Sequence, residues 1–174
     1  NKKDDAYIDG SGQGDAFNTV TNEFWNGDEG LLVVPCYQET KFLEFIDRES
    51  GGGFVGELEP SHPDIQKATR TGAKEILPNG NQLVKSDQHY CLIIGDGGLI
   101  QPAIVDMKST QLKVSRRWKT QIAMQKIRHP KTNALLTPAV YATMWKLTTV
   151  QESNTEGTWY NWSVTKHGLV QTKD

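Results

Sequence analysis

Short runs of β-branched and aromatic residues, separated by Gly-rich or polar turns, predict strands along most of this chain. Pro35 lies within the first run and requires an edge position or a bulge there, because proline cannot donate a backbone hydrogen bond. The turn Gly95-Asp96-Gly97-Gly98 predicts a hairpin, since glycine adopts positive φ without steric cost. The five predicted strands are 31–46, 82–94, 99–108, 139–150 and 158–170.

The hydrophobic period changes between the third and fourth predicted strands. Val114, Trp118 and Ile122 recur at i, i+4 and i+8, which places them on one apolar stripe of a helix. Pro130 cannot continue a helix. The pattern therefore predicts one main helix from about 111 to about 128.

The resulting order of elements is three strands, a helix and two strands. This order matches the OB-fold, a five-stranded barrel with its helix between strands 3 and 4. We therefore predict a mainly β protein with one main helix (α+β), with a single OB-fold-like domain over 21–174. Residues 1–20 are predicted to form a flexible acidic N-terminal arm, and about 47–80 a long loop that an OB-fold would use as a clamp on its ligand.

Positive charge is concentrated in one segment of the chain. Residues 106–131 carry eight Lys and Arg against a single acid, Asp106, whereas the whole chain has a net charge of −2. Residues 1–64 have a net charge of −10. Such separation indicates a polyanionic partner, most commonly nucleic acid, although an ordinary solvated helix face is the alternative explanation.

Single-stranded nucleic acid is usually held by cations that bind phosphates and by aromatic rings on which bases stack. The candidate binding residues are therefore cations in or near the basic segment and aromatic residues of the last two strands. They are Lys85, Lys108, Lys113, Arg116, Arg117, Lys119, Trp145, Trp159, Tyr160 and Trp162. For the aromatic residues the alternative is a place in the core, which is where tryptophans on strands usually lie.

A second hypothesis rests on the end of the third predicted strand. Asp106 and Lys108, followed by a helix that contains Gln121, resemble the core motif of PD-(D/E)XK nucleases, in which carboxylates hold Mg²⁺ and the lysine positions or activates water. Antiparallel pairing around the hairpin puts residue 106 opposite about residue 88, which makes Asp87 the second candidate acid. The alternative catalytic set is therefore Asp87, Asp106 and Lys108.

Other chemistry has little support in the sequence. The four histidines lack metal-ligand spacing, and neither a P-loop nor a nucleophile elbow is present. We therefore expect no metal, no cofactor and, outside the nuclease alternative, no enzymatic activity. The apolar runs are too short to span a membrane, no signal peptide is visible, and Cys36 and Cys91 are predicted to be free thiols in a reducing cytoplasm.

Four segments of the chain, LLVVPCYQETKFLEF, LPNGNQLVKSDQHYCLII, MKSTQLKVSRRWK and GTWYNWSV, resemble a group of bacteriophage proteins. The resemblance covers about 24 to 170. Over this range the chain is similar to phage proteins described as single-stranded DNA-binding proteins. The resemblance implies non-specific binding of single-stranded DNA in phage DNA replication or recombination, in the host cytoplasm and with other replication or recombination proteins as partners. It implies no catalytic residue. A homo-oligomer and a phage structural or scaffold role are left open.

Overall fold

Strands make up most of the regular structure in the computed structural model, which describes residues 8–129, 131–155 and 157–170. Twelve strands and two α-helices lie within these ranges. The strands are β1 (Ala16–Phe17), β2 (Phe24–Trp25), β3 (Leu31–Phe45), β4 (Phe54–Leu58), β5 (Thr69–Thr71), β6 (Lys74–Ile76), β7 (Gln82–Ile94), β8 (Ile100–Lys108), β9 (Ile127–Arg128), β10 (Leu135–Leu136), β11 (Thr143–Asn154) and β12 (Gly157–Leu169). The helices are α1 (Pro63–Lys67) and α2 (Leu112–Ala123).

The two long strands β3 and β7 pair antiparallel and form the middle of the main sheet. The sheet order is β12-β11-β3-β7-β6-β5, with β4 also paired to β3 and β8 also paired to β7. The register of β3 against β7 shifts between Pro35 and Tyr37. Such a shift marks a β-bulge, so the expectation that Pro35 requires an edge or a bulge is confirmed.

Helix α2 covers one face of this sheet. Its Trp118 is fully buried, and Val114 and Ile122 pack against the same core, which confirms the predicted apolar stripe. The helix ends at Ala123 rather than near residue 128, because the following residues form the hairpin β9–β10. The core residues are Leu31, Val33, Cys91, Ile93, Val105, Met107, Trp118, Trp145 and Leu147.

The prediction of an OB-fold-like five-stranded barrel is wrong. The sheet is open, and within the described residues β8 and β12 do not pair with each other. Helix α2 contacts both of these strands, and Ala16 and Trp25 of the hairpin β1–β2 pack against the core. The helix therefore bridges β8 and β12 in place of the backbone pairing that would close a barrel.

Two other predicted segments contain more structure than a loop or an arm. The stretch 47–80 contains β4, α1, β5 and β6. Of the predicted arm 1–20, residues 1–7 lie outside the described residues, and the rest contacts the sheet through Gly14, whose carbonyl oxygen accepts a hydrogen bond of 2.6 Å from Thr149 Oγ1. A Cβ on Gly27 would lie 2.2 Å from the same oxygen, so this close approach requires glycine.

Candidate nucleic-acid interface

The sequence from Met107 to Gln151 contains no acidic residue. It forms the end of β8, helix α2, the hairpin β9–β10 and most of β11. Nine cations lie in this acid-free segment: Lys108, Lys113, Arg116, Arg117, Lys119, Lys126, Arg128, Lys131 and Lys146. Any acid that neutralises them must therefore come from another part of the fold.

Three of the predicted phosphate-binding lysines are neutralised in this way. Lys108 Nζ lies 2.7 Å from Asp106 Oδ2, and Lys113 Nζ lies 3.0 Å from Glu152 Oε1. Lys119 points inward, and its Nζ lies 2.8 Å from Oδ2 of the buried Asp87. These three lysines are poorer candidates for phosphate contacts than the sequence suggested, because each would have to leave a carboxylate first.

The other exposed cations near α2 have no acidic partner within the described residues. Nε of Arg116 donates to the carbonyl oxygen of its own helix, Lys126 Nζ donates to Thr137 Oγ1 at 2.7 Å, and Lys166 of β12 donates to Gln125 Oε1. Neutral acceptors leave the positive charge uncompensated. The basic surface consists of Arg116, Arg117, Lys126, Arg128, Lys131 and Lys166.

A buried polar network holds α2 against β7 and so positions the basic surface. The carboxylate of Asp87, which is 2% exposed, accepts hydrogen bonds from Thr40 Oγ1 at 2.7 Å, Ser115 Oγ at 2.6 Å and Lys119 Nζ at 2.8 Å. Nε2 of His89 lies 2.8 Å from Ser115 Oγ. Since the single hydroxyl proton of Ser115 goes to Asp87, Nε2 of His89 carries the proton of this last hydrogen bond.

The network also fixes the protonation states of its members. Burial raises the pKa of Asp87, but hydrogen bonds from Lys119, Ser115 and Thr40 and the charge of Lys119 outweigh it and lower this pKa to about 2. Burial lowers the pKa of His89 to about 4, against the opposing charge of Asp87. At neutral pH Asp87 is therefore ionised and His89 is neutral.

Acidification is expected to destabilise the fold because of His89. Its pKa is about 4 in the folded protein against an ordinary value of 6.5, so the unfolded chain binds this proton first as the pH falls. The contribution is fully present above pH 6.5, and the free energy of unfolding should fall between pH 6.5 and 4, by at most about 1.4 kcal/mol per pH unit for one proton. Urea unfolding across this range measures the slope. His89→Gln retains a hydrogen-bond donor and should flatten it, and an unchanged slope would contradict the assignment.

The predicted stacking residues are largely covered. Trp145 is 1% exposed and its Nε1 donates to Thr143, so its ring faces the core and is not open to a base. Trp162 packs against the same core, and Trp159 and Tyr160 are half-buried on β12. Hence the aromatic residues do not form an open platform beside α2.

The last predicted binding residue, Lys85, is exposed on β7, opposite Phe42 of β3. It lies outside the acid-free segment that carries most of the basic surface. Because it precedes Asp87 by two residues on the same strand, Lys85 lies on the face of the sheet that α2 covers.

The alternative nuclease residues are not brought together. Asp106 pairs in register with Gln88, as predicted, while Asp87 pairs with Met107. Because side chains alternate across a strand, Asp87 and Asp106 point to opposite faces of the sheet, and Lys108 accompanies Asp106 alone. Within the described ranges there is no group of three His, Cys, Asp or Glu residues that could hold a metal ion.

A family model described as Pam3 phage gp34-like protein matches residues 1–174. The chain belongs to this family. It is therefore a bacteriophage protein, which confirms the phage part of the resemblance seen in the sequence. No curated protein and no solved structure matches the chain. No helix among the described residues of this phage protein is long and apolar enough to span a membrane.

Several cations of the basic surface were not among the predicted binding residues. Lys126, Arg128 and Lys131 follow α2, and Lys166 lies on a different strand, so helix periodicity did not group them. The signal that identifies the first three is the absence of acids from Met107 to Gln151. No comparable signal exists for Lys166, whose place beside α2 depends on tertiary structure.

Proposed function

We propose that this phage protein binds nucleic acid without sequence preference through the basic surface, with single-stranded DNA as its ligand. The observation that supports the proposal is the set of six exposed cations with no acidic partner in the part of the chain that the structure describes. A protein that places cations against phosphates gains free energy from released counterions, and this term does not depend on base sequence.

Helix α2 is suited to present such cations. Its 12 residues extend about 18 Å, which is long enough to face more than one phosphate of a strand. Ser115 and Lys119 attach its inner side to Asp87, while Arg116 and Arg117 face solvent. A helix fixed in this way presents the two arginines with little loss of backbone entropy on binding.

We propose single-stranded rather than duplex DNA as the ligand because the sequence resembles phage single-stranded DNA-binding proteins. Because Trp145 is buried, phosphate contacts are expected to supply more of the affinity than base stacking does. The corresponding role would lie in phage DNA replication or recombination in the host cytoplasm, alongside other phage proteins.

Replacing both Arg116 and Arg117 with alanine is expected to weaken binding to oligo-dT by roughly tenfold or more, and to all other sequences alike. The log–log salt slope should become shallower by about 1.4, since each phosphate contact to a single strand contributes about 0.7. Fluorescence anisotropy of labelled single-stranded and duplex DNA at several salt concentrations measures both quantities.

The matched control for this experiment replaces Lys67 and Arg70, two cations of α1 and β5, with alanine. It should leave affinity nearly unchanged. An equal loss in the control would show that the basic surface is not the site. No binding of the unaltered protein at low salt would refute the proposed function.

A phage structural or scaffold role is the second candidate, and an exposed apolar row on the other face of the sheet favours it. Tyr37, Tyr90 and Ile104 lie side by side on β3, β7 and β8, and Tyr37 is 60% exposed. Exposed apolar patches often mark contacts with other proteins. An oligomer in solution with no DNA binding would favour this role.

A further inference from the structure

A cavity of about 580 Å³ lies between the hairpin β1–β2 and strand β8. Core residues Leu31, Ile93 and Val105 line one side of it, and Trp25 of the hairpin and Trp162 of β12 line another. Pockets for small molecules commonly have volumes of roughly 300–1,000 Å³ with mainly apolar walls. The cavity is therefore large enough to hold a small organic ligand rather than only water.

The walls of the cavity select for the chemistry of that ligand. The rings of Phe17, Trp25 and Trp162 offer flat apolar faces. Gln101 supplies an amide that both donates and accepts hydrogen bonds, whereas the carboxylate of Asp106 points to the other face of the sheet and is paired with Lys108. Neither Lys nor Arg is among the described residues that line the cavity. Such walls favour a neutral ring with polar edge groups and disfavour a phosphate.

The hairpin β1–β2 gives a route into the cavity. Its strands have two residues each, and its turn is held by Asn18 Oδ1, which accepts the backbone N–H of Val20 at 2.8 Å. Near the turn, Gln101 Nε2 of β8 donates to Glu23 Oε2 at 2.9 Å. A two-stranded hairpin of this length has little stability of its own, so its turn end can move away from β8 more easily than the end that carries Ala16 and Trp25, which pack against the core.

We propose that this cavity is a binding site for a neutral heteroaromatic ring of nucleobase size, stacked on Trp162 or Trp25 with a polar edge toward Gln101. The ring can belong to either of two ligands with the same chemistry, a free nucleoside or a DNA strand bound to the protein. Binding of a base from a DNA strand rests on the proposed function, whereas binding of a free nucleoside does not.

Titration with 2-aminopurine riboside, a neutral fluorescent nucleoside, tests the site. We expect saturable quenching of the probe as it stacks on an indole ring. Ala103→Leu fills part of the cavity and should weaken binding by about tenfold or more, whereas Ala123→Leu, on the exposed end of α2, should not change it. Gln101→Ala, which removes a polar wall group without adding volume, should also weaken binding. Absence of saturable quenching, or equal binding by both alanine-to-leucine variants, would overturn the proposal.

The 5′-monophosphate of the same nucleoside separates a ring site from a phosphate site. Because neither Lys nor Arg is among the described residues that line the cavity, the monophosphate should bind no tighter than the nucleoside. Binding about tenfold tighter would show that a phosphate site outside the cavity accounts for the signal.

An oligo-dT strand with one internal 2-aminopurine distinguishes the two ligands. If a bound strand inserts a base, the probe is quenched, and Ala103→Leu removes the quenching while anisotropy shows that the strand remains bound. If the nucleoside binds but the strand does not bind at low salt, the cavity site stands and the proposed function fails. If the strand binds without any quenching of strand or nucleoside, the cavity proposal fails and the proposed function stands.

Discussion

Asp87→Ala is expected to lower the free energy of unfolding by about 3 kcal/mol, the low end of the cost of breaking a buried ion pair, because Asp87 is buried but the side chain of Lys119 is 31% exposed. The carboxylate accepts hydrogen bonds from Thr40, Ser115 and Lys119, which belong to β3 and α2. Without it, the ammonium group of Lys119 has no counter-ion, and the hydroxyl groups lose their buried acceptor. The change therefore affects the attachment of α2 to the sheet.

Urea unfolding at neutral pH measures this loss, and two variants show where it comes from. Asp87→Asn keeps the shape and two acceptor lone pairs but removes the charge, so its cost should lie between zero and that of alanine. Asp28→Ala removes an exposed carboxylate and should change stability by no more than about 0.5 kcal/mol. A loss below about 1 kcal/mol for Asp87→Ala would show that the network contributes little to stability.

Local patterns in the sequence predicted the five long strands and the main helix but not the short strands β1, β2, β4, β5, β6, β9 and β10. Strand β7 covers the predicted 82–94, because its β-branched and aromatic residues are flanked by turn-forming Asn-Gly and Gly-Asp pairs. The stripe Val114, Trp118 and Ile122 located α2, since apolar residues four apart fit one face of a helix, whereas the polar residues midway between them break the alternation of a strand.

Closure of the sheet could not be predicted in the same way. Whether β8 pairs with β12 depends on what lies between two strands about 50 residues apart in sequence, and alternation within a strand carries no information on this. The N-terminal segment 8–25 has a polar, Gly-rich composition that predicts an arm, yet its Trp25 and Ala16 pack against the core. Tertiary contacts outweighed local composition there.

The same limit applies to the candidate interface. The charge run was visible in the sequence, but the direction of each cation was not. Lys119 follows Ser115 by four residues and therefore lies on the same side of the helix. Both side chains donate hydrogen bonds to the buried carboxylate of Asp87 on β7. Arg116 and Arg117 do not share this stripe and remain exposed. One helix therefore combines a stabilising inner side with an outer side available to a ligand.

Trp118→Ala is the second substitution for which a large effect is expected, a loss of about 3–5 kcal/mol in the free energy of unfolding. The ring is fully buried, stacks on His89 with centroids 4.5 Å apart and meets Trp145 edge-on at 6.2 Å. Alanine leaves a cavity between α2 and the sheet at the point where the polar network also attaches the helix. Trp118 Nε1 has no hydrogen-bond partner among the described residues, so Trp118→Phe loses no hydrogen bond and keeps an aromatic ring beside His89.

Urea unfolding of the two Trp118 variants separates ring packing from hydrogen bonding. The phenylalanine variant should lose less than half as much stability as the alanine variant, since only part of the ring volume is removed. Equal losses would mean that the indole nitrogen does have a partner in solution. Because the basic surface depends on the position of α2, the alanine variant should also bind DNA more weakly under conditions where it remains folded, whereas the phenylalanine variant should bind as the unaltered protein does. Normal DNA binding by a folded alanine variant would show that the arginines act without the anchored helix.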